Sequence, residues 1–253
     1  MDCSFTTADW SDILTVLRET YYIWSPGLSR ELYQHYIWRQ LSHPWARRNF
    51  RFMVLKYDHR VVASCKLYRL QMTSRGKIFD FTGVGSVYTQ ERFRNNGFAT
   101  RLVNAVLDLS LSENRDGLIL YSDIDPEFYE QFGFIEFGSA EFAAYLNSPG
   151  SRPIEPAVDS MLFTEELGAA AFREELSSEL RAGDGSPAEK LYRIRYNSNE
   201  PITIEPSHIP ALHAVYERWR RFQPFACLRD PLYWSYKLAR ERFLSDNSVL
   251  AWP

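Results

Sequence analysis

VYTQERFRNNGFATRL, residues 87–102, decides how this chain is read. Its first residues are β-branched and aromatic. Its end opens a run in which Leu102, Val103, Val106, Leu107 and Leu109 share one helical face, so a strand passes through a short loop into a helix. A helix start exposes N–H groups that no carbonyl of the helix can reach, together with the positive end of its dipole. Gly97 and the small Ala99 let a phosphate come close to such amides, so the segment outlines a diphosphate cradle. The glycine can also do no more than shape a turn.

Upstream of this segment, KIFDFTGVGSVYT (77–89) reads as a strand whose Gly83 and Gly85 suggest a bulge or a close approach to the backbone. Before it, FRFMVLKY and RVVASCKLYRL flank the polar Asp58-His59 turn and read as a hairpin. The chain opens with two predicted helices. One covers 9–20, with Trp10, Ile13, Leu14 and Leu17 on a stripe; the other covers 30–41 behind a Ser29 N-cap, with Leu32, Tyr33, Tyr36 and Ile37. Downstream, DGLILYS (116–122) has the continuous apolarity of a strand buried on both faces, PEFYEQF is a short helix entered through Pro126, and GFIEFG is another strand. The order is ααβββαβαβ.

NSPGSRPIEPA (147–157) is rich in turn residues and marks a linker, dividing a domain over 1–146 from a mainly helical region over 158–253. Within the latter, 159–182 and 207–244 read as helical and LYRIRY as strand-like. LSRELYQHY (28–36) and LRDPLYWSY (228–236) match at Leu28/Leu228, Leu32/Leu232, Tyr33/Tyr233 and Tyr36/Tyr236, so residues 200–253 read as the opening of a second, similar lobe; shared amphipathic patterning is the alternative.

With 45% hydrophobic and 24% charged residues, the 253-residue chain has an ordinary globular balance, which excludes wholesale disorder. No 18-residue window lacks a charge, and MDCSFTTADW has neither a basic nor an apolar leader, so no membrane segment and a cytoplasmic protein are expected. Cys3, Cys65 and Cys227 are far apart and odd in number, suggesting neither disulfides nor a zinc cage; Cys65, within a strand, reads as buried. His35, His43, His59, His208 and His213 form no ligand pairing, so no metal is expected. The net charge of −3 conceals polarity: residues 30–80 hold 11 Lys+Arg against 3 Asp+Glu, and residues 108–190 hold 5 against 18. HPWARRNFRF (43–52) interleaves arginines with aromatics as a nucleic-acid patch does, but overall acidity and the lack of a nucleic-acid motif favour a solvated face or small-anion site. Nucleic acid is therefore not expected as a partner.

VYTQERFRNNGFATRL followed about 30 residues later by YEQFGF resembles the paired motifs of the GCN5-related N-acetyltransferase (GNAT) superfamily, over roughly residues 5–140. The resemblance implies a mixed α/β fold, a mostly antiparallel twisted sheet with a splayed parallel strand pair flanked by helices, and acetyl-coenzyme A as cosubstrate. It implies that the backbone around Val87 and Thr89 holds the pantetheine arm and that Arg94, Asn95, Asn96, Gly97, Phe98, Ala99 and Thr100 line the pyrophosphate, mostly through main-chain N–H groups. Tyr129 matches the family's general acid; a core aromatic is the other reading. The C-terminal part looks like two-lobed members, fungal lysine N6-acetyltransferases and the bacterial enhanced-intracellular-survival group, which are longer.

Acetyl transfer to an amine needs a held thioester, a donor for its carbonyl oxygen, a neutral amine and a proton for the departing thiolate. An ammonium of pKa about 10.4 is neutral in about one molecule in 2,500 at pH 7, a deficit of about 4.6 kcal/mol, so a base is expected. Asp123 and Asp125 end the buried strand where the thioester is expected; Asp123 is the candidate base, while Asp125 can equally cap the next helix. With Glu127 and Glu130 they form an acidic rim that attracts a cationic amine. Trp24, Trp38 and Trp45 either line an acceptor cleft or simply pack. The expected activity is acetyl transfer to the primary amine of a small molecule such as an amino acid, polyamine or aminoglycoside-like compound. A non-catalytic acyl-coenzyme A-binding or scaffold module is the alternative.

Overall fold

The computed structural model describes residues 3–122, 126–135 and 206–247. The described residues fall into two units, one joining those up to 132 with 225–247, the other containing 133–135 and 206–224. The expected linker at 147–157, the helix at 159–182, LYRIRY and residues 136–138 of the expected strand GFIEFG lie outside the described residues, and its described half, 133–135, is turn and irregular chain, not strand.

In the first unit β1 (Cys3–Thr7) leads into α1 (Trp10–Trp24), α2 (Arg30–Ser42), α3 (Pro44–Asn49), β2 (Phe50–Tyr57), β3 (Arg60–Ser74), β4 (Lys77–Thr89), α4 (Phe98–Ser112), β5 (Gly117–Leu120) and the one-turn α5 (Glu127–Glu130). Later residues add β6 (Ala226–Cys227) and α7 (Pro231–Asn247), while α6 (Ile209–Arg221) belongs to the second unit. The strands run in the order β1-β2-β3-β4-β5, with β6 beside β3. All pairs are antiparallel except β4–β5. Both long hairpins turn through two residues of positive φ, Asp58 (49°) with His59 (63°) and Arg75 (48°) with Gly76 (76°), the turn whose twist matches that of the strands.

Alternation along the strands builds two cores. Phe50, Phe52 and Val54 of β2 face Ile13, Val16, Tyr33 and Ile37 of α1 and α2, with Tyr236 and Phe243 of α7. Met53 and Leu55 face the other way, with Cys65, Leu67 and the α4 residues Leu102 and Val106. Burial on both faces is why FRFMVLKY reads as nearly continuous apolarity. The predicted stripe of α1 is rotated slightly: Ile13, Val16, Leu17 and Thr20 are buried, whereas Trp10 is exposed.

Three features depart from the sequence reading. The chain begins with a strand, not a helix, because β1 is a short edge strand that buries too few positions to leave a pattern. The expected helix over 207–244 is divided between α6 and α7, and Asp230 restarts the second piece by accepting from Tyr233 N at 2.6 Å ahead of Pro231. β5 is half-buried along its length, not enclosed on both faces. The basic charge of 30–80 is partly answered by Glu113 at the end of α4, which pairs with Arg51 (2.6 Å), Arg69 (3.6 Å) and Arg115 (3.2 Å).

Candidate active site

The site is built on the last residues of β4. β5 accompanies β4 in register from Phe81/Gly117 to Val84/Leu120 and then ends, so Gly85–Thr89 has no β5 partner among the described residues. On its other edge β4 stays on β3, but the register shifts: Ser64 faces Tyr88 and Lys66 faces Gly85, leaving Cys65 opposite two residues. That bulge holds Ser86 at φ 49°, a left-handed conformation costing about 1–3 kcal/mol in a residue with a side chain. The expected bulge therefore falls on Ser86. Gly83 serves close packing instead, since a Cβ there would come within 2.7 Å of Leu70 Cδ1.

Beyond Thr89 the chain makes a 3-10 turn over Glu91–Phe93 and reaches Gly97, the N-cap of α4. Gly97 has φ 72° and makes no side-chain cap, and a Cβ at this position would have nothing within 4 Å. The first α4 amide bonded to the cap is Arg101 N, on Gly97 O at 3.0 Å. The amides of Phe98, Ala99 and Thr100 thus begin the helix without an intrahelical acceptor. Neighbouring side chains do not fill the gap: Asn96 Nδ2 donates to Arg94 O (2.8 Å), and Arg94 Nε donates back to Thr89 O (3.3 Å). Asn95 adopts φ 61°, and Arg94, Asn95, Asn96 and Gly97 are all exposed. Phe98 turns its ring into the core against Tyr57 and Phe93, leaving only its backbone at the surface of the cradle. Val87 and Thr89 are half-buried on the stretch of β4 that extends beyond β5.

A fully buried Leu or Val contributes about 1.5–3 kcal/mol, whereas an N-cap is worth about 1 kcal/mol. Leu102, Val103 and Val106 therefore hold α4 in place without a cap. Open amides at a fixed helix start, plus the dipole, suit an anion.

Tyr129 in α5 is buried, and the Ser122 side chain hydrogen-bonds its hydroxyl. Burial raises its pKa above the usual phenol value, with the Ser122 bond opposing and the Cys65 thiol adding to the rise. The hydroxyl is thus a proton holder at neutral pH, close to the strand residue that faces the β4 bulge. Cys65 itself is fully buried, its thiol pushed up to about 12. Ser122 carried no sequence signal, since a serine after a strand is unremarkable until the fold brings Tyr129 to it. Asp123 and Asp125 lie outside the described residues, while Glu127 and Glu130 are exposed. Trp24 meets Tyr88 edge-on at 6.1 Å, beside the end of β4; Trp45 is buried against Tyr236 at 4.8 Å, and Trp38 is exposed. Among the described residues no three His, Cys, Asp or Glu side chains gather as a metal site, and no helix is long and apolar enough to cross a membrane.

Among solved structures, an acetyltransferase of Trypanosoma brucei is 20% identical and covers 57% of this chain and 100% of its own, with a TM-score of 0.45. Glucosamine-6-phosphate N-acetyltransferase of Arabidopsis thaliana is 15% identical over 58% of this chain and 100% of its own, TM-score 0.42. A protein of Clostridium acetobutylicum described as a predicted acetyltransferase, solved with acetyl-CoA, is 16% identical over 56% of this chain and 96% of its own, TM-score 0.43. No curated protein matches the chain. The family described as acetyltransferase (GNAT) domain matches residues 4–136, more than half of the 253. The chain belongs to the GNAT acetyltransferases, enzymes that use acetyl-CoA for acyl transfer.

Proposed function

We propose that this protein moves the acetyl group of acetyl-CoA to a primary amine of a small molecule by direct attack in a ternary complex. The observation that carries the reading is the uncapped start of α4 at Gly97 together with the Gly85–Thr89 stretch of β4, which has no β5 partner among the described residues. Both suit the cosubstrate. Open amides and the missing Cβ at 97 accommodate a diphosphate, and an unpaired strand edge offers backbone groups to an amide-bearing arm.

Acetyl-CoA supplies an acyl carbon activated as a thioester. In this reading the amides of Phe98, Ala99 and Thr100 hold the diphosphate, Arg94 adds positive charge at its edge, and the backbone at Val87 and Thr89 orients the arm. Tyr129, kept protonated by burial and oriented by Ser122, gives its proton to the departing sulfur. Asp123 is the proposed base for the ammonium, and the Glu127–Glu130 rim draws cationic amines. Residues 200–253 are read as the start of a second lobe; Ser29 and Asp230, one at the start of each matching segment, both act as caps.

Thiol release measured with a panel of amino acids, polyamines and aminoglycosides tests the assignment. Amine-dependent release is expected; tight acetyl-CoA binding without turnover on any amine would make the protein a binding module instead.

A further inference from the structure

We propose that the cavity between α2 and α7 binds a small carboxylate, with Arg240 as its fork and Arg39 at its mouth. The cavity holds about 290 Å³, and Tyr36, Trp38, Tyr236 and Phe243 contribute aromatic walls. No Asp or Glu lines it. Arg240 Nε is buried and makes no hydrogen bond. The nearest carboxylate, Glu241 Oε1, stands 3.6 Å away, beyond hydrogen-bond length, on a side chain 48% exposed. Another part of the Arg240 guanidinium bonds the Tyr236 hydroxyl, which donates in turn to Gln40 Oε1 at 3.2 Å, so the arginine is held in one pose. Arg39 lies with its Cζ 5.4 Å from the centroid of the Phe243 ring, which also packs on Tyr36.

A second cation, Lys66, lies close enough to feel the first. Lys66 on β3 has no carboxylate partner among the described residues, and burial together with the nearby Arg240 brings its ammonium down to about 8. Its Nζ sits 5.9 Å from the Phe52 ring centroid, a weak substitute for a counter-ion. Taking a cation out of water costs several kcal/mol unless an anion answers it. Arg240 and Lys66 repel each other, and the one acid near Arg240 is the half-exposed Glu241, so an anion held by Arg240 also relieves that repulsion. A guanidinium fork matches a planar carboxylate, and aromatic walls call for an apolar stem, which distinguishes the ligand from a bare phosphate.

Calorimetric titration of the full chain with hexanoate, hexylamine and inorganic phosphate tests the site without any turnover, so its failure is separate from failure of the acetyl-transfer reading. Saturable hexanoate binding is expected, with no hexylamine binding and phosphate at least tenfold weaker. Arg240→Met should weaken hexanoate at least tenfold and Arg39→Met several-fold; the exposed Arg39 gives a variant that does not threaten the core. Lys66→Met should raise the melting temperature of the unliganded protein while reducing the upward shift that hexanoate produces. Equal binding of hexanoate and hexylamine, phosphate binding as tight as hexanoate, or hexanoate affinity unchanged in both arginine variants overturns the proposal. Comparing 6-aminohexanoate with 1,6-diaminohexane as acetyl acceptors then locates the source. A lower KM for the acid that disappears in Arg240→Met assigns the carboxylate to the acceptor. Equal KM values with hexanoate still bound assign it to a separate ligand.

Discussion

α1 and α4 are both 15 residues long, both amphipathic, and begin in opposite ways. At α1 the Asp9 carboxylate accepts from Asp12 N (2.9 Å) while Asp12 accepts from Asp9 N (3.2 Å), and Lys56 pairs with Asp12 at 2.8 Å. At α4 the cap is a glycine in the left-handed region, and the surrounding polar side chains bond elsewhere. A helix that serves only as scaffold closes its own amides; α4 keeps its amides available and is held by Leu102, Val103 and Val106, with Ser110 Oγ on Thr82 Oγ1 at 3.0 Å.

The sharpest way to erase this difference is to give α4 a carboxylate. Gly97→Asp should lower acetyl-CoA affinity at least 100-fold by titration calorimetry. Two unit charges about 5 Å apart at an effective dielectric of about 20 repel by about 3 kcal/mol, and Asp tolerates the φ of 72° better than most residues. Affinity within threefold of the parent would mean that the diphosphate sits elsewhere. Next in size, Tyr129→Phe should reduce kcat by about 100-fold with the KM for acetyl-CoA little changed. In the parent, any alkaline fall of kcat caused by this hydroxyl should begin above the ordinary phenol value of 10, because burial raises its pKa; an earlier fall assigns the limb to another group. Arg94→Ala should weaken acetyl-CoA only several-fold, the loss shrinking at high salt as for any exposed charge.

Smallest of all, and only on α1, Asp9→Ala should lower the melting temperature by a few degrees and leave kinetics untouched. Its Ser11 and Asp12 bonds hold the Asp9 carboxyl below the usual value of 3.8. The cap therefore stabilises fully above that value and fades as pH falls through the lowered folded pKa. Parent and variant should converge in melting temperature in that acid window; a constant gap contradicts the charge-based cap.

The uncapped start of α4, the proposed cradle, is legible in the sequence because the chemistry it offers is backbone chemistry. Gly97 between an apolar strand and an apolar helix stripe is a local pattern, and chain order alone places the amides. Side-chain environments were less visible. Tyr129 could be named from YEQFGF, but Ser122 and Cys65 meet it only through the fold. Arg240 and Lys66 are 174 positions apart, and their approach depends on α7 packing against α2 and α3, which no local periodicity reports. β1 escaped notice for a different reason, since this five-residue edge strand, paired with β2 along one side, leaves three of its positions exposed.

Backbone amide shifts offer the most direct check on the central claim. In a 15N–1H correlation spectrum, coenzyme A should move the amides of Phe98, Ala99 and Thr100 strongly downfield, S-acetylpantetheine, which lacks the diphosphate, should leave them nearly in place, and neither should move the capped amide of Asp12. If coenzyme A binds and those three resonances stay where they were, the open start of α4 is not the phosphate site.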